Sequence, residues 1–537
     1  MSSQDSRDLP ARRHGVAVFF CQLRAGRARD GLPKNIWYHP IFQRCHGGRE
    51  IAINRQELIR HILIAGLALM LVPSTHPAQS SVESWAYYGD ANGDELGHAV
   101  STAGNLVPSE GVYADIVVGA PGDTDPEEPQ SSDRKGVVYV FGGGLAGLAK
   151  DYAWHAAGEK GSRFGAAVAG AGDMDGDGWD DLVVGAHSYK PGDLLPQAGA
   201  VYLYCGPLDP LHTSSQWSFL GDSKAANVGY SVGAAGDMNN DGHDDLIIGA
   251  WHWQSNVETF DGAVLLFYGN GIGSCDLGTE PDWVYESEQA GARLGASVAS
   301  AHDVNDDGID DLIMGAPGYD GDDSLDEGAA YVFYGSDTGP GGQPDWIAYG
   351  GQEGAWFGIS VSTAGDVNGD GWDDIIVGAS RYDDRYEDEG AAFVFYGPLD
   401  GDRSPEPDWV AYGRQAYVQF GASVSTARDA DGDGYDDVLV GAPNYNKNGE
   451  GAAFVFYGSA EGLAKVSGWR ATGDKADTEF GYSVSETGDV RGDGTGGIVV
   501  GAPVYKRDDK TPLGKAAAFY GPLLPTYYRA YLPVILH

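Results

Sequence analysis

A chain of 537 residues with 82 Gly, 30 Tyr, 17 Phe and 13 Trp against only 5 Met suits many short strands joined by tight turns, not long helices. Its 78 acidic residues outweigh 34 basic ones, and the formal net charge of -44 excludes nucleic acid and anionic lipid surfaces as natural partners. Cations are the natural counterpart of such a surface, and acidity serves solubility alone unless the carboxylates cluster at ligand spacing.

In chain order, residues 1–80 read as a leader region. Arg55 and Arg60 precede an apolar core at 62–72 (ILIAGLALMLV), and small residues around Ala78–Ser81 follow. Eleven residues are too few to span a bilayer but match a signal peptide, so the chain is expected to be secreted or displayed at the cell surface, with no transmembrane span after processing. The Arg-rich stretch 1–50, which holds Cys21 and Cys45, is too long for an ordinary basic flank, and a mis-assigned translation start accounts for it. Cys205 and Cys275 share no motif spacing, so neither a disulfide framework nor a zinc site is expected.

From residue 84 to 521 one pattern recurs seven times. Trp stands at 85, 154, 217, 283, 346, 409 and 469. An apolar-Gly pair follows each, as in Phe164-Gly165 and Phe357-Gly358; then come an acidic loop, an apolar run ending in Gly-Ala (DLVVGA, 181–186) and an alternating segment such as GAAYVFYG (328–335). Four strand-like segments in about 60 residues is the arithmetic of a propeller blade. The fold class expected is therefore all-β, a seven-bladed β-propeller. SWAYYG (84–89) precedes the first inner strand and nothing Trp-bearing follows KAAAFYG (515–521), so an N-terminal strand should close the last blade. Residues 522–537 read as a tail outside the repeats.

Five of the seven acidic loops read D-x-[DN]-x-D-G-x-D-D. Calcium takes six to eight hard oxygens, and alternating positions of a tight loop converge on one point. Positions one, three, five and nine supply side chains, and position seven its backbone carbonyl. The predicted ligands are Asp173, Asp175, Asp177, Trp179 and Asp181 in unit two, and Asp237, Asn239, Asp241, His243 and Asp245 in unit three. Units four and five give Asp303, Asn305, Asp307, Ile309 and Asp311, then Asp366, Asn368, Asp370, Trp372 and Asp374. Unit six gives Asp429, Asp431, Asp433, Tyr435 and Asp437. About five Ca2+ ions are expected. These are not EF-hands, because position twelve is Val184, Ile248, Met314, Val377 or Val440 where an acid is required. The first loop keeps only Asp115, and the seventh puts Arg491 and Gly497 at ligand positions, so neither should hold metal.

The apolar-Gly and Gly-Ala-Pro landmarks with the intervening cage resemble the FG-GAP repeats of integrin α-subunit N-terminal propellers and their bacterial relatives, over residues 84–521. The resemblance implies seven blades, calcium on one face and ligand binding through loops of the other. Integrin cages occupy fewer blades than the five here, and the integrin leg domains have no counterpart in this sequence, so heterodimer formation is not implied.

Other motifs read as structure. Gly229-Tyr-Ser231-Val-Gly233 matches a nucleophile elbow, yet Ser297, Ser360, Ser423 and Ser483 occupy the same place in other units. Gly142-x-Gly144-x-x-Gly147 lacks the βαβ context of a dinucleotide site and should be a hairpin loop. Arg491-Gly492-Asp493 lies within the degenerate seventh cage. Aromatics at a fixed offset after Gly-Ala (Tyr189, Trp253, Tyr319, Tyr382, Tyr445, Tyr505) should pack between blades, while Trp251, His252 and Phe260 add an excess of rings that makes this loop a binding candidate. The expected function is an extracellular binding or adhesion module for a protein or glycan ligand, without catalysis. The alternatives are a calcium-dependent polysaccharide lyase or hydrolase and a structural envelope protein.

Overall fold

The structure is a computed structural model and describes residues 83–523, apart from 110, 127–133, 193–194, 224, 255–260, 272, 274, 322–323, 400–405 and 508–511. The leader with its 62–72 core, Cys21, Cys45, Phe260 and the tail beyond 523 lie outside the described residues.

The described residues form 28 strands in seven four-stranded antiparallel sheets and no helix, which establishes the all-β, seven-bladed propeller. Blade one is β2 (Ala99–Gly104), β3 (Asp115–Ala120), β4 (Val137–Phe141) and β5 (Trp154–Ala157). The inner strands of blades two to seven are β6 (Ala167–Gly172), β10 (Val228–Gly236), β14 (Ser297–His302), β18 (Phe357–Gly365), β22 (Ser423–Arg428) and β26 (Ser483–Glu486). Second strands such as β3 and β11 (Asp245–Ala250) are buried at every position, because each sheet is covered on both faces by its neighbours. The Gly of each Gly-Ala pair is required by that closeness: a Cβ on Gly185 would collide with the Gly229 carbonyl of the next blade.

The recurrent Trp fastens one blade to the next. Trp217 packs edge-on against Phe267 with centroids 5.0 Å apart, and its indole N–H donates to the Gly278 carbonyl at 2.7 Å. Trp85, Trp154, Trp283 and Trp409 make the same two contacts one blade further on. The ring closes as the strand order requires. β1 (Trp85–Tyr88) pairs antiparallel with β28 (Lys515–Tyr520), Trp85 opposite Ala518 and Tyr88 opposite Lys515, and completes the sheet of β26 and β27 (Gly497–Ala502).

Two expectations are corrected. Cys205 and Cys275 form a disulfide with Cα atoms 6.4 Å apart. They are 70 residues apart in sequence, but each follows the third strand of its blade, and neighbouring blades bring these loops together. The tail does not begin cleanly at 522: Leu523 is buried in the core between blades six and seven, and its N–H donates to the Ala430 carbonyl at 2.7 Å.

Candidate metal centres

All five cage loops sit at the same end of the ring, each following an inner strand, and share one hydrogen-bond pattern. Asp173 accepts the Asp177 N–H at 3.1 Å and the Gly178 N–H at 2.9 Å, while Asp177 accepts the Trp179 N–H at 2.9 Å. Asp237, Asp303, Asp366 and Asp429 repeat this with the corresponding N–H groups at 2.8–3.1 Å. Position six reverses the chain at positive φ, 90° at Gly178 and 96° at Gly434, where only glycine is unstrained. The side chains then converge: Asp173, Asp175 and Asp177 each bring an oxygen within 4.8 Å of the others, and so do Asp429, Asp431 and Asp433. In the other three loops position three is Asn. Asn239, Asn305 and Asn368 donate an amide N–H to Asp241, Asp307 and Asp370 at 2.8–3.1 Å, and their Oδ1 faces backbone N–H groups of the loop.

Position seven varies because its side chain packs instead of ligating. His243 and Tyr435 lie against Gly176 and Gly369 of the preceding cage, while Trp179, Ile309 and Trp372 cover the glycine ending the third strand of their own blade.

Position nine has a second duty. Asp181, Asp245, Asp311, Asp374 and Asp437 are fully buried, and each accepts one backbone N–H from the loop and one from the turn after the third strand, such as Met174 and Gly206 for Asp181. Asp115 does the same in the cage-less first loop, bonding Leu106, Val107 and Gly143 at 2.8 Å. The ninth aspartate is thus a tether wherever it occurs, and in the cages each oxygen keeps a second lone pair for a cation. Burial, with the cage carboxylates adding to it, lifts Asp181 to about 7 and the other four to about 8 despite those hydrogen bonds.

Position eight carries a function that repeat counting missed. Asp244 of blade three accepts the N–H of Asp173, the first cage residue of blade two, at 2.9 Å; Asp310 likewise accepts from Asp237 and Asp436 from Asp366. Asp180 accepts the Asn105 N–H at 2.6 Å, and Asp373 faces His302 Nδ1 at 3.8 Å. The cages of blades two, three and five are therefore fastened by the next blade, whereas the cage of blade six is followed by Gly496 at position eight.

The seventh loop tests the chemistry of the site. It keeps the cage backbone, with Asp489 accepting the Asp493 and Gly494 N–H groups, but Arg491 turns inward, pairs with Asp493 at 2.9 Å and donates to Thr495 and the Gly521 carbonyl. A guanidinium supplies positive charge where the loops of units two and six leave converging oxygens, so their donor set fits a hard cation. The Arg491-Gly-Asp493 tripeptide is closed on itself.

The remaining motifs resolve into packing. The Ser231 hydroxyl donates to the Gly295 carbonyl of the next blade at 2.9 Å, and Ser297, Ser360 and Ser423 accept N–H groups across the same joint. Gly142–Gly147 is a hairpin turn closed by Ala149 N–H to Gly142 O at 2.9 Å. Tyr189, Trp253, Tyr319, Tyr382, Tyr445 and Tyr505 pack in the cores between blades. A further carboxylate group, Asp90, Asp94 and Asp123, lies at the opposite end of the ring. Its sequence signal is that unit one alone breaks two repeat positions, with Asp123 where six units carry an aromatic and Asp94 where they carry Ala, Ser, Val or Thr.

A closed ring of seven four-stranded blades with acid-lined loops at one end is a cage-bearing β-propeller. The FG-GAP repeat matches residues 164–204, 228–267, 294–333, 357–395 and 420–456, the five units with complete cages, so the ring is built from FG-GAP repeats. It is 30% identical over 302 residues to phosphatidylinositol-glycan-specific phospholipase D of Homo sapiens, covering 52% of this chain and 35% of that protein. It is 32% identical over 231 residues to integrin alpha-5 of Xenopus laevis (41% and 20%) and 35% identical over 162 residues to integrin alpha-6 of Homo sapiens (30% and 14%). The chain spans about a third or less of the length of these relatives. Among the described residues no helix is long and apolar enough to cross a membrane.

Proposed function

We propose that this chain is an exported, calcium-loaded propeller that binds a protein or glycan ligand at a cell surface. The observation that carries the reading is the fivefold recurrence of one loop geometry, with the first, third and fifth carboxylates converging in units two and six, set against a seventh loop in which an arginine neutralises the same position. Each cage would hold Ca2+ through its position one, three and five side chains, its position seven carbonyl and its ninth aspartate, and the ion would relieve the repulsion among close carboxylates. Similarity to integrin α subunits supports a binding role. One relative carries an enzyme's name, but the match covers 35% of that protein, and the one nucleophile-elbow serine is spent on joining blades.

Metal analysis of the purified chain should give about five calcium ions, and Asp370→Ala about four, because each cage has its own fifth-position aspartate. A chelator should lower the melting temperature markedly, since loss of a ligand that binds only the folded state removes its stabilisation. An unchanged melting temperature at low salt overturns the reading.

A further inference from the structure

At the end of the ring opposite the cages, blades three to five bring aromatic and cationic side chains together from four turns and the start of β10. Tyr230 and His252 stack on Trp251 with centroids 4.1 and 4.4 Å away and interplanar angles of 16° and 6°. The Arg293 guanidinium lies 5.8 Å from the Trp251 ring and 5.5 Å from the Trp356 ring, and that of Arg381 lies 3.7 Å from Trp356. Arg163, nearby, is neutralised by Glu95 at 2.6 Å, but among the described residues neither Arg293 nor Arg381 has an ion pair or a side-chain hydrogen bond. Asp388 is the carboxylate whose ionisation feels Arg381. Arg381 is exposed, and Arg293, Trp251 and Trp356 are half-buried.

We propose that the Trp356 platform with Arg293 and Arg381 is a binding site for an acidic saccharide, one bearing uronate carboxylates or sulfates. A guanidinium laid on an indole is held flat, and its free N–H edge is a fork that matches a carboxylate or sulfate bidentately. Two such forks share one ring, so a ligand with anionic groups on successive sugars can engage both. The Trp251 ring is already taken up by Tyr230 and His252, so the contact falls to guanidinium edges and not to open ring faces. The net charge of -44 selects for a thin ligand: with screening over about 8 Å at physiological ionic strength, a narrow chain meets the local arginines, whereas the broad face of an acidic protein meets the repulsion of the whole surface.

The inference rests on the proposed extracellular binding role only for its choice of ligand class. The test is calorimetric titration of the full chain with an oligogalacturonide, a sulfated oligosaccharide, a neutral oligosaccharide of equal length and a polyglutamate peptide. The acidic sugars should bind and the neutral one should not. Arg381→Gln should weaken binding about tenfold, Arg381→Lys should fail to restore it because the planar fork is lost, and Arg293→Gln with Arg381→Gln should abolish it. Melting temperature and calcium content measured on the same samples should match the parent, which separates this site from the cages and from calcium bridging to the sugar. Unchanged affinity in the double variant, binding of the neutral sugar, or polyglutamate binding as tightly with the same arginine dependence overturns the proposal.

Discussion

Asp94 and Asp123 show how far one residue can depart from its repeat position at an energetic cost. Asp94 is 2% and Asp123 3% exposed, Tyr139 donates its hydroxyl to Asp123 at 2.6 Å, and the backbone N–H groups of Asp90 and Ala91 point at Asp94. Burial, with each carboxylate's neighbours adding to it, lifts Asp94 to about 7 and Asp123 to about 6. Both therefore bind protons more tightly folded than unfolded, where an aspartate titrates near 3.9. Folding stability from this pair is fully present at low pH and is lost as pH rises from about 4 through 7. Asp94→Asn keeps the acceptor and removes the charge, so its melting temperature should exceed the parent's at pH 7, with the difference shrinking toward pH 4. Thermal unfolding across that range at fixed calcium checks this, and a difference independent of pH excludes it. At the same scale, Arg491 in the seventh loop places a side-chain cation against Asp493, within a loop that keeps the cage backbone.

Among the elements, three of the cage loops are not independent modules, because the eighth aspartate of the next loop fastens their first residue. Asp244→Ala leaves every ligand position in place but strips the Asp173 N–H of its acceptor. It should weaken one of the five sites about tenfold, the order of one charge-assisted hydrogen bond, without lowering the ion count at saturating calcium. A calcium titration identical to the parent's would show that the cages are set only by their own loops. The Trp strands, the Gly-Ala strands and the cage positions were legible because each obeys a short local rule repeated unit after unit, and repetition separated the structural Ser231 from a nucleophile. The Cys205–Cys275 disulfide, the role of Asp244 and the meeting of Trp356 with Arg293 and Arg381 were not legible. The disulfide, the Asp244 bond and the Trp356–Arg293 contact join neighbouring blades through residues about 60 to 75 positions apart, and no periodicity within a unit records them. The buried Leu523 escaped for the same reason, since its partner Ala430 belongs to blade six.

For the whole ring, closure is the step on which all seven interfaces depend, and it is made by four residues that come first in the propeller and pair last. β1 gives Trp85, 7% exposed, to the core between blades seven and one, where it packs on Phe141 with centroids 4.8 Å apart and donates to the Ala149 carbonyl at 2.7 Å. Glu83, just before it, pairs with the buried Lys515 of β28. Without this strand, β28 becomes an open edge with unpaired backbone groups beside an uncovered aromatic core. Trp85→Ala should cost about 3–5 kcal/mol, the range for emptying a large buried aromatic site, and deletion of residues 79–90 should cause unfolding or aggregation. Truncation after Leu523 should leave the melting temperature close to the parent's, whereas truncation after Pro522 should lower it by removing the Leu523 side chain and its bond to Ala430. Differential scanning calorimetry of these four variants distinguishes the two ends of the chain. If the 79–90 deletion melts like the parent, the ring is held by its interfaces alone and the N-terminal strand is only a cover.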